Sequence, residues 1–290
     1  MTSLNSTYKR LILALLAMLL AGWAHAEPPA RKLPKYPFKV HDGFPNAQTF
    51  TVTRVLHSAA DELMQYFPDR KFKPIEVKYR ADGPPQMFYI GGTGGNHKID
   101  RVYLNAKSTF WAQYIYQFAH EHCHILHNAD LLYPHEAAWF GEALSELASL
   151  FVLRSLAETW RTKPPFKGWE WFTSALRKYA DGIMKGRELP EGWTLAMWYQ
   201  ENKTELQKNS LNRPLNAVAA CALLPLFEGK PERWEALSWM CHRRDELKEK
   251  KLTFQEFLKE WSHHCPKRHK PFIERIGKEF GLHFVLRDRS

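Results

Sequence analysis

Beyond its N-terminal region, this sequence of 290 residues lacks a second long hydrophobic run, an internal repeat and a low-complexity segment. Without another apolar run, a protein with several membrane-spanning helices is excluded. Without a repeat, the solenoid and propeller architectures are excluded as well. Lysine and arginine are scattered rather than gathered into a basic patch, and nothing resembles a nucleic-acid-binding module. We therefore expect no nucleic-acid partner and a chain that buries a substantial core.

The first 26 residues have the pattern of a secretory signal peptide. Lys9 and Arg10 precede an apolar run at 11–22, and the tripeptide A-H-A, a small-x-small cleavage site, ends at Ala26. Twelve apolar residues are few for a membrane span, although an uncleaved anchor is the alternative. No cysteine lies near the cleavage point, which argues against a lipoprotein. We expect export to the periplasm or the medium after cleavage near Ala26.

Cleavage at that point removes two basic residues and no acidic ones, which lowers the formal charge from +10 to +8. A cationic exported protein can associate loosely with an anionic envelope surface, and the alternative is that the charge only aids solubility. The four cysteines remain in the mature chain. Because Cys221, Cys241 and Cys265 cluster in the C-terminal third, we expect one disulfide bond among them.

The stretch Q-F-A-H-E-H-C-H-I-L-H contains the motif H-E-x-x-H at His120, Glu121 and His124. Residues 109–127 include no Pro or Gly, and their apolar residues recur at helical spacing, which predicts a helix. Residues i and i+4 lie on one face of a helix, so both imidazoles can reach one metal ion. Glu121 is too near to be a comfortable third ligand and is placed to take a proton from a metal-bound water. His122 lies on the apolar face, where we expect a hydrogen-bonded core histidine.

A second helix is predicted to begin near Pro134, a residue type that suits the first helical turn. One face is apolar, and the opposite stripe is small and acidic: Ala138, Glu142, Ser145, Glu146 and Ser149. Two like charges one turn apart repel each other, and the ordinary interpretation of such a pair is a solvated helix face. Opposite a histidine pair, however, Glu142 can be a third metal ligand. Glu146 can then hydrogen-bond the far ring nitrogen of a ligand histidine.

H-E-x-x-H followed, after 17 residues, by the glutamate of W-F-G-E-A-L-S-E resembles the gluzincin branch of the zincin metallopeptidases, which includes thermolysin and the zinc aminopeptidases. The resemblance covers roughly residues 101–153. It implies that His120, His124 and Glu142 bind one Zn²⁺ per chain and that Glu121 is the general base. It also implies that Glu146 supports a ligand histidine from the second shell.

The resemblance further implies an α+β, zincin-like fold with a small, mostly antiparallel sheet and helices in an N-terminal lobe, followed by an all-helical C-terminal lobe. It makes the strand with Val102, Tyr103 and Leu104 the edge strand above the cleft, to which an extended peptide could add. A Tyr or His of the helical lobe would stabilise the oxyanion. Tyr199 and His242 are candidates, and nothing in the sequence selects either.

The predicted organisation has four parts: a signal peptide at 1–26, an extended arm at 27–46, an N-terminal lobe at 47–130 that ends in the motif helix, and a helical C-terminal lobe at 131–290 that carries the glutamate ligand. In the N-terminal lobe, a helix at 51–67 precedes strands at 73–80, 86–90 and 101–105. The glycine-rich stretch at 91–95 predicts a flexible turn, since it lacks the Lys-Ser/Thr ending and the following helix of a phosphate loop. In the helical lobe, further helices are predicted at 169–185, 194–208, 215–227, 234–249, 254–264 and 271–280.

A metzincin site is the alternative ligand arrangement. It needs a glycine three residues after the second histidine and a ligand three residues later, where this sequence has His127 and Asp130. Asp130 is an acceptable ligand type, but a β-carbon is costly at a position that needs positive φ, so Glu142 ranks above it. His127 and His135 could line the cleft, replace a ligand or be solvated. We interpret Cys123 as a non-ligand, because two histidines and a glutamate already leave the open fourth position that catalysis needs.

The sequence therefore predicts an exported zinc-dependent metallopeptidase that hydrolyses peptide or protein substrates through a zinc-bound water activated by Glu121. Two alternatives belong to other classes. One is a zinc-binding pseudopeptidase on the same scaffold. The other is a metal-free, cationic envelope-binding protein in which the motif is a coincidence.

Overall fold

A computed structural model of the chain describes residues 36–92, 95–129, 136–241 and 252–283. The predicted signal peptide and its cleavage point lie outside these residues, as do Asp130, His135 and His242. In the described ranges, no helix combines the length and the apolar character that crossing a bilayer demands. The described residues from Tyr36 onward belong to one compact unit.

The sheet has four strands in the order β1-β2-β4-β3. They are β1 (Phe38–Val40), β2 (Ile75–Tyr79), β3 (Gln86–Ile90) and β4 (Ile99–Leu104). β1 pairs with β2 and β2 pairs with β4 in parallel, whereas β3 pairs with β4 antiparallel. The α+β class is confirmed, but the prediction of a mostly antiparallel sheet was wrong.

The mixed sheet follows from the connections between its strands. A helix of 16 residues, α1 (Thr49–Met64), joins β1 to β2, and a crossover of this kind produces parallel neighbours. After β2, the chain first forms β3 at the edge of the sheet. It then turns back and forms β4 in the space between β2 and β3. β1 itself lies in the segment predicted to be an extended arm.

β4 is consequently an inner strand, paired on both sides. Val102, Tyr103 and Leu104 therefore do not form the edge strand, and that prediction was wrong. Val102 and Leu104 are fully buried in the core beneath the sheet. The edge strand on this side of the sheet is β3, whose bounds equal those predicted for the strand at 86–90.

The remaining helices follow the sheet along the chain. They are α2 (Trp111–Leu126), α3 (Ala138–Thr159), α4 (Thr173–Met184), α5 (Leu195–Lys208), α6 (Arg213–Gly229), α7 (Phe254–His264) and α8 (Lys270–Glu279). Short 3₁₀ helices occupy Glu170–Phe172, Pro231–Trp239 and Lys267–His269. The predicted helix at 234–249 is thus a 3₁₀ helix up to Trp239, and 242–251 lie outside the described residues.

α2, the motif helix, ends with a cap built from distant residues. Asn128 adopts a left-handed conformation with φ 56°, which stops the helix. The guanidinium of Arg70 donates to the carbonyl oxygens of Ile125, at 2.7 Å, and Leu126, and to Asn128 Oδ1 at 2.6 Å. Carbonyls of the last helical turn lack their regular intrahelical partners, and although the Asn128 amide also reaches Ile125, the cation stabilises the turn that carries His124.

α3 packs antiparallel against α2 and is buried on almost every side. The antiparallel direction follows from the contacts, since Ser149 Oγ donates to the Tyr116 carbonyl at 2.8 Å while Glu142 contacts His120. Ser145 and Ser149 are fully buried, and their small side chains allow the two helices to approach closely. The helix begins at Ala138, later than predicted, and Pro134 lies outside the described residues.

Aromatic rings connect the start of α3 to the C-terminal helices. Trp139 stacks on Tyr199, with ring centroids 5.8 Å apart, and meets Phe254 and Phe280 edge-on. Residues from both sides of position 130 contribute to one hydrophobic core. The division into an N-terminal and a helical C-terminal lobe stays a prediction.

Candidate metal centre

Antiparallel packing of α2 and α3 brings His120, His124 and Glu142 to one point. His120 Nε2 lies 3.3 Å from Glu142 Oε2, and His124 Nε2 lies 3.6 Å from Glu142 Oε1. One ligand atom from each residue falls within 4.8 Å of the others. The two imidazoles come from successive turns of α2, and the carboxylate comes from the facing turn of α3. This donor set, two imidazole nitrogens and one carboxylate, matches the protein ligands of a catalytic zinc site with an open fourth position.

The three side chains influence one another's protonation. Burial raises the pKa of Glu142, but the hydrogen bond with His120 and the electrostatic effect of the neighbouring imidazoles outweigh it and lower that pKa to about 2. Burial lowers the pKa of His120, yet Glu142 and the carboxylates beside it shift that pKa upward overall. Burial lowers the pKa of His124 to about 4. The neutral imidazole of His124 and the carboxylate of Glu142 are thus already in the forms that bind a cation.

Behind His120, Glu146 and Tyr116 form an outer layer. His120 Nδ1 lies 3.8 Å from Glu146 Oε2, and the Tyr116 hydroxyl contacts both oxygens of that carboxylate at 2.7 and 2.6 Å. Burial and the charge of Glu146 raise the pKa of Tyr116, so the phenol stays protonated and donates. Glu146 thus lies on the predicted side of His120, but 3.8 Å is longer than the predicted hydrogen bond, and its support of a ligand histidine stays a prediction. Sequence reasoning missed Tyr116, although it lies one helical turn before His120 and on the same face.

Behind His124, the outer layer consists of His127, Ser145 and Cys241. His124 Nδ1 lies 3.3 Å from His127 Nε2 and 3.5 Å from Ser145 Oγ, and His127 Nδ1 lies 3.7 Å from Cys241 Sγ. His127 is only 2% exposed, and burial lowers its pKa, so its ring is neutral. The interpretation of His127 as a solvated side chain was wrong, because it lies behind the ligand face and contacts His124 there.

The other residues of the motif helix have separate surroundings. His122 is fully buried and stacks on Phe118 with ring centroids 5.2 Å apart. Neither of its ring nitrogens has a hydrogen-bond partner among the described residues, contrary to prediction, and burial lowers its pKa to about 3. Cys123 is buried and outside the ligand cluster, as its non-ligand interpretation requires. All four cysteines lie in described segments and form no disulfide, so the expected bridge is not present.

Glu121 is placed beside the three candidate ligands and faces the edge strand. Its side chain is buried, and burial raises its pKa to about 7, while the charge of His120 acts in the opposite direction. The backbone of Met87 in β3 hydrogen-bonds the carboxylate and holds it next to the strand. A cation bound nearby favours the ionised form of this carboxylate, which is the form that accepts a proton.

A cavity of about 390 Å³ contains His120, Glu121, His124 and Glu142 in its wall. The other lining residues come from the β2–β3 connection, from β3, and from the α2, α5 and α6 ends: Pro84, Pro85, Gln86, Met87, Tyr89, Ala129, Leu211 and Arg213. Sequence reasoning missed Arg213, which no motif or spacing distinguishes from the other arginines. Tyr199, a candidate oxyanion donor, is 4% exposed within the aromatic core and does not line this cavity.

Comparison with known proteins yields no relative of this chain. No family model matches it, and neither does any curated protein or any solved structure. The arrangement of its own residues is therefore the basis for assigning a function.

Proposed function

We propose that this protein is a zinc-dependent metallopeptidase with a gluzincin-type, zincin-like site. The observation that carries the proposal is the convergence of two imidazoles and one carboxylate in a cavity wall, with a buried carboxylate beside them. Catalytic zinc sites use three protein ligands of these types and keep one position open. The outer layer supports the proposal as well. His127 lies within hydrogen-bond distance of His124 Nδ1, an arrangement that fixes the tautomer that leaves Nε2 for the metal, and the Glu146 carboxylate lies 3.8 Å from His120 Nδ1.

In this proposal His120, His124 and Glu142 hold the zinc ion. Bound zinc supplies a Lewis acid that polarises a carbonyl and lowers the pKa of water. Glu121 accepts the proton of the attacking water and delivers it to the amine that leaves. Met87 keeps the Glu121 carboxylate facing the cavity through its backbone. Glu146 and His127 orient the two ligand imidazoles from behind.

Substrate binding in this proposal uses β3 rather than the strand predicted from the resemblance. β3 is the edge strand, and Gln86, Met87 and Tyr89 line the cavity. The Met87 backbone hydrogen-bonds Glu121, so a main-chain polar group of Met87 points away from β4. The N–H and C=O groups of successive residues point to alternate sides of a strand, so those of Tyr89, two residues later, also point away from β4. An extended peptide could therefore pair with this edge beside Glu121.

Metal analysis and one substitution test the proposal. We expect about one zinc per chain in the purified protein that begins at Glu27, and loss of that zinc in His120→Ala. Glu121→Gln should retain zinc and lose peptide hydrolysis by at least about 100-fold, because only the proton acceptor is removed. Glu201→Gln, an exposed change of the same kind on α5, should leave both properties unchanged.

The same measurements distinguish the alternative classes. A wild-type protein that holds zinc and cleaves no member of a broad peptide library would be a pseudopeptidase. A wild-type protein without zinc would leave the cationic, envelope-associated protein as the better description. The N-terminal pattern of residues 1–26 supports export in all three cases, and detection of a mature N-terminus at Glu27 in the periplasm or medium tests it.

A further inference from the structure

Arg213 is a cation in the wall of the same cavity that holds the candidate ligands. It is the first residue of α6, directly after the N-cap Asn212, and its side chain is exposed. It shares this wall with Glu121, the proposed proton acceptor. Among the described residues, no hydrogen bond or ion pair engages its guanidinium, in contrast to Arg154, which pairs with Glu228 at 2.5 Å. The guanidinium donors of Arg213 are therefore not engaged by any described residue.

The charges in the cavity wall favour an anionic partner for Arg213. Among the described lining residues, the carboxylate and cationic side chains besides the histidines are Glu121, Glu142 and Arg213. A divalent cation on His120, His124 and Glu142 would offset the carboxylates around it, of which Glu146 is already engaged by the Tyr116 hydroxyl. Within the described residues, none of these carboxylates forms an ion pair with Arg213. A negative group on the substrate would give the guanidinium a direct partner inside a confined space, where charge–charge interactions are stronger than in bulk water.

We propose that Arg213 determines specificity by binding a carboxylate of the peptide substrate. The guanidinium has a planar set of donors that matches a carboxylate bidentately, which no other lining residue offers. The cavity of about 390 Å³ lies near the lower end of the range for ligand pockets, which suits a short segment of peptide. The carboxylate is either the C-terminal group of the peptide or an acidic side chain. This inference rests on the proposed peptidase function.

A binding experiment tests the inference without any need for turnover. The probes are four dansyl-labelled alanine pentapeptides: the free acid, the C-terminal amide, and the amide with a central Glu or Gln. They are titrated against the zinc-loaded Glu121→Gln protein with Arg213 intact, and again with Arg213→Gln, Arg213→Lys or Arg213→Glu. Arg161→Gln, an exposed arginine outside the cavity, is the matched control.

We expect the parent to bind a carboxylate-bearing peptide at least about tenfold more tightly than its neutral counterpart. Arg213→Gln should abolish that ratio, Arg213→Lys should retain part of it, and Arg213→Glu should reverse it, while Arg161→Gln leaves it intact. A ratio between free acid and amide identifies the terminal carboxylate, and a ratio between the Glu and Gln peptides identifies a side chain.

The inference is overturned if the parent binds all four peptides equally or binds none, or if Arg213→Gln keeps the ratio. Hydrolysis of the neutral amides by the wild-type protein reports on the proposed peptidase function separately. If the wild type cleaves the amides and the parent shows no preference for peptides with a carboxylate, only the proposed role of Arg213 is refuted. Because Arg213 is exposed, its variants should fold like the parent, and equal thermal unfolding temperatures check this.

Discussion

Replacement of Tyr116 by phenylalanine should weaken both the fold and the metal site. The Tyr116 hydroxyl donates to the Glu146 carboxylate, with oxygen–oxygen distances of 2.7 and 2.6 Å, and Glu146 is only 6% exposed. Without that hydroxyl, the one polar contact of the buried carboxylate that remains within the described part of the chain is with His120 Nδ1 at 3.8 Å. Hydrogen bonds to charged groups contribute about 1.5–3 kcal/mol, and the loss leaves a buried acceptor unsatisfied. We expect destabilisation of about that size, or roughly 3–6 °C in melting temperature.

In the proposed function Glu146 orients His120, so the candidate metal site should respond too. Loss of an outer-layer partner typically lowers metal affinity by about 10- to 100-fold, so Tyr116→Phe should bind zinc at least about tenfold more weakly. Thermal unfolding with and without zinc measures the first effect. Competition with a chromophoric chelator measures the second.

Tyr114 provides a matched control on the same helix. Its hydroxyl is also buried but has no hydrogen-bond partner among the described residues, and burial raises its pKa to about 12. Removing an unsatisfied buried hydroxyl relieves a desolvation penalty, so Tyr114→Phe should be neutral or stabilising and should leave zinc affinity unchanged. The reasoning would be refuted if the two variants had equal melting temperatures and equal zinc affinities.

Two further predictions concern residues away from the ligand cluster. Burial raises the pKa of the Glu62 carboxyl, although the hydrogen bond from Ser155 acts in the opposite direction. Ionisation of Glu62 in the folded protein therefore costs stability as the pH rises through that raised pKa. Glu62→Gln should melt at a higher temperature than wild type at pH 8, and this gain should shrink toward pH 4. An equal gain at both pH values would contradict this. Arg70→Ala removes the donors to Ile125 and Asn128 at the end of α2, and it should destabilise by about 2–3 kcal/mol in denaturant unfolding. Arg70→Lys should recover little, since an ammonium cannot bridge these acceptors, and full recovery would show that charge alone suffices.

The local part of the candidate site could be predicted from the sequence. Helical spacing fixes which side chains share a face, so His120 and His124 were assigned correctly to one face of α2. Glu142 comes close to His120 and His124 only because α2 and α3 pack together. Helical spacing alone does not predict that packing, and the expectation came from the resemblance to gluzincins. The small and acidic stripe of α3 is not the solvated face that such a pattern ordinarily indicates, because Ser145 and Ser149 are buried and Ser149 contacts α2.

Features set by long-range contacts were beyond the sequence. Strand order depends on where a chain of about 20 residues re-enters the sheet, and local patterns do not encode it, so β4 was mistaken for the edge. The short strand β1 has only three residues, too few for a periodic signal. Arg213 reaches the cavity only because the chain between α5 and α6 returns to it, and the outer position of His127 depends likewise on Cys241, 114 residues away.

The strands that contribute to the buried core are not the strand that faces the cavity. The parallel strands β1, β2 and β4 carry the buried residues of the sheet, including Ile75, Val77 and Val102, whereas no residue of β3 is buried. The strand that faces the cavity can therefore change in sequence at little cost to the core. In the proposed peptidase, changes in β3 alone could therefore alter substrate preference, while the helices of the candidate metal centre and the buried core beneath them stayed the same.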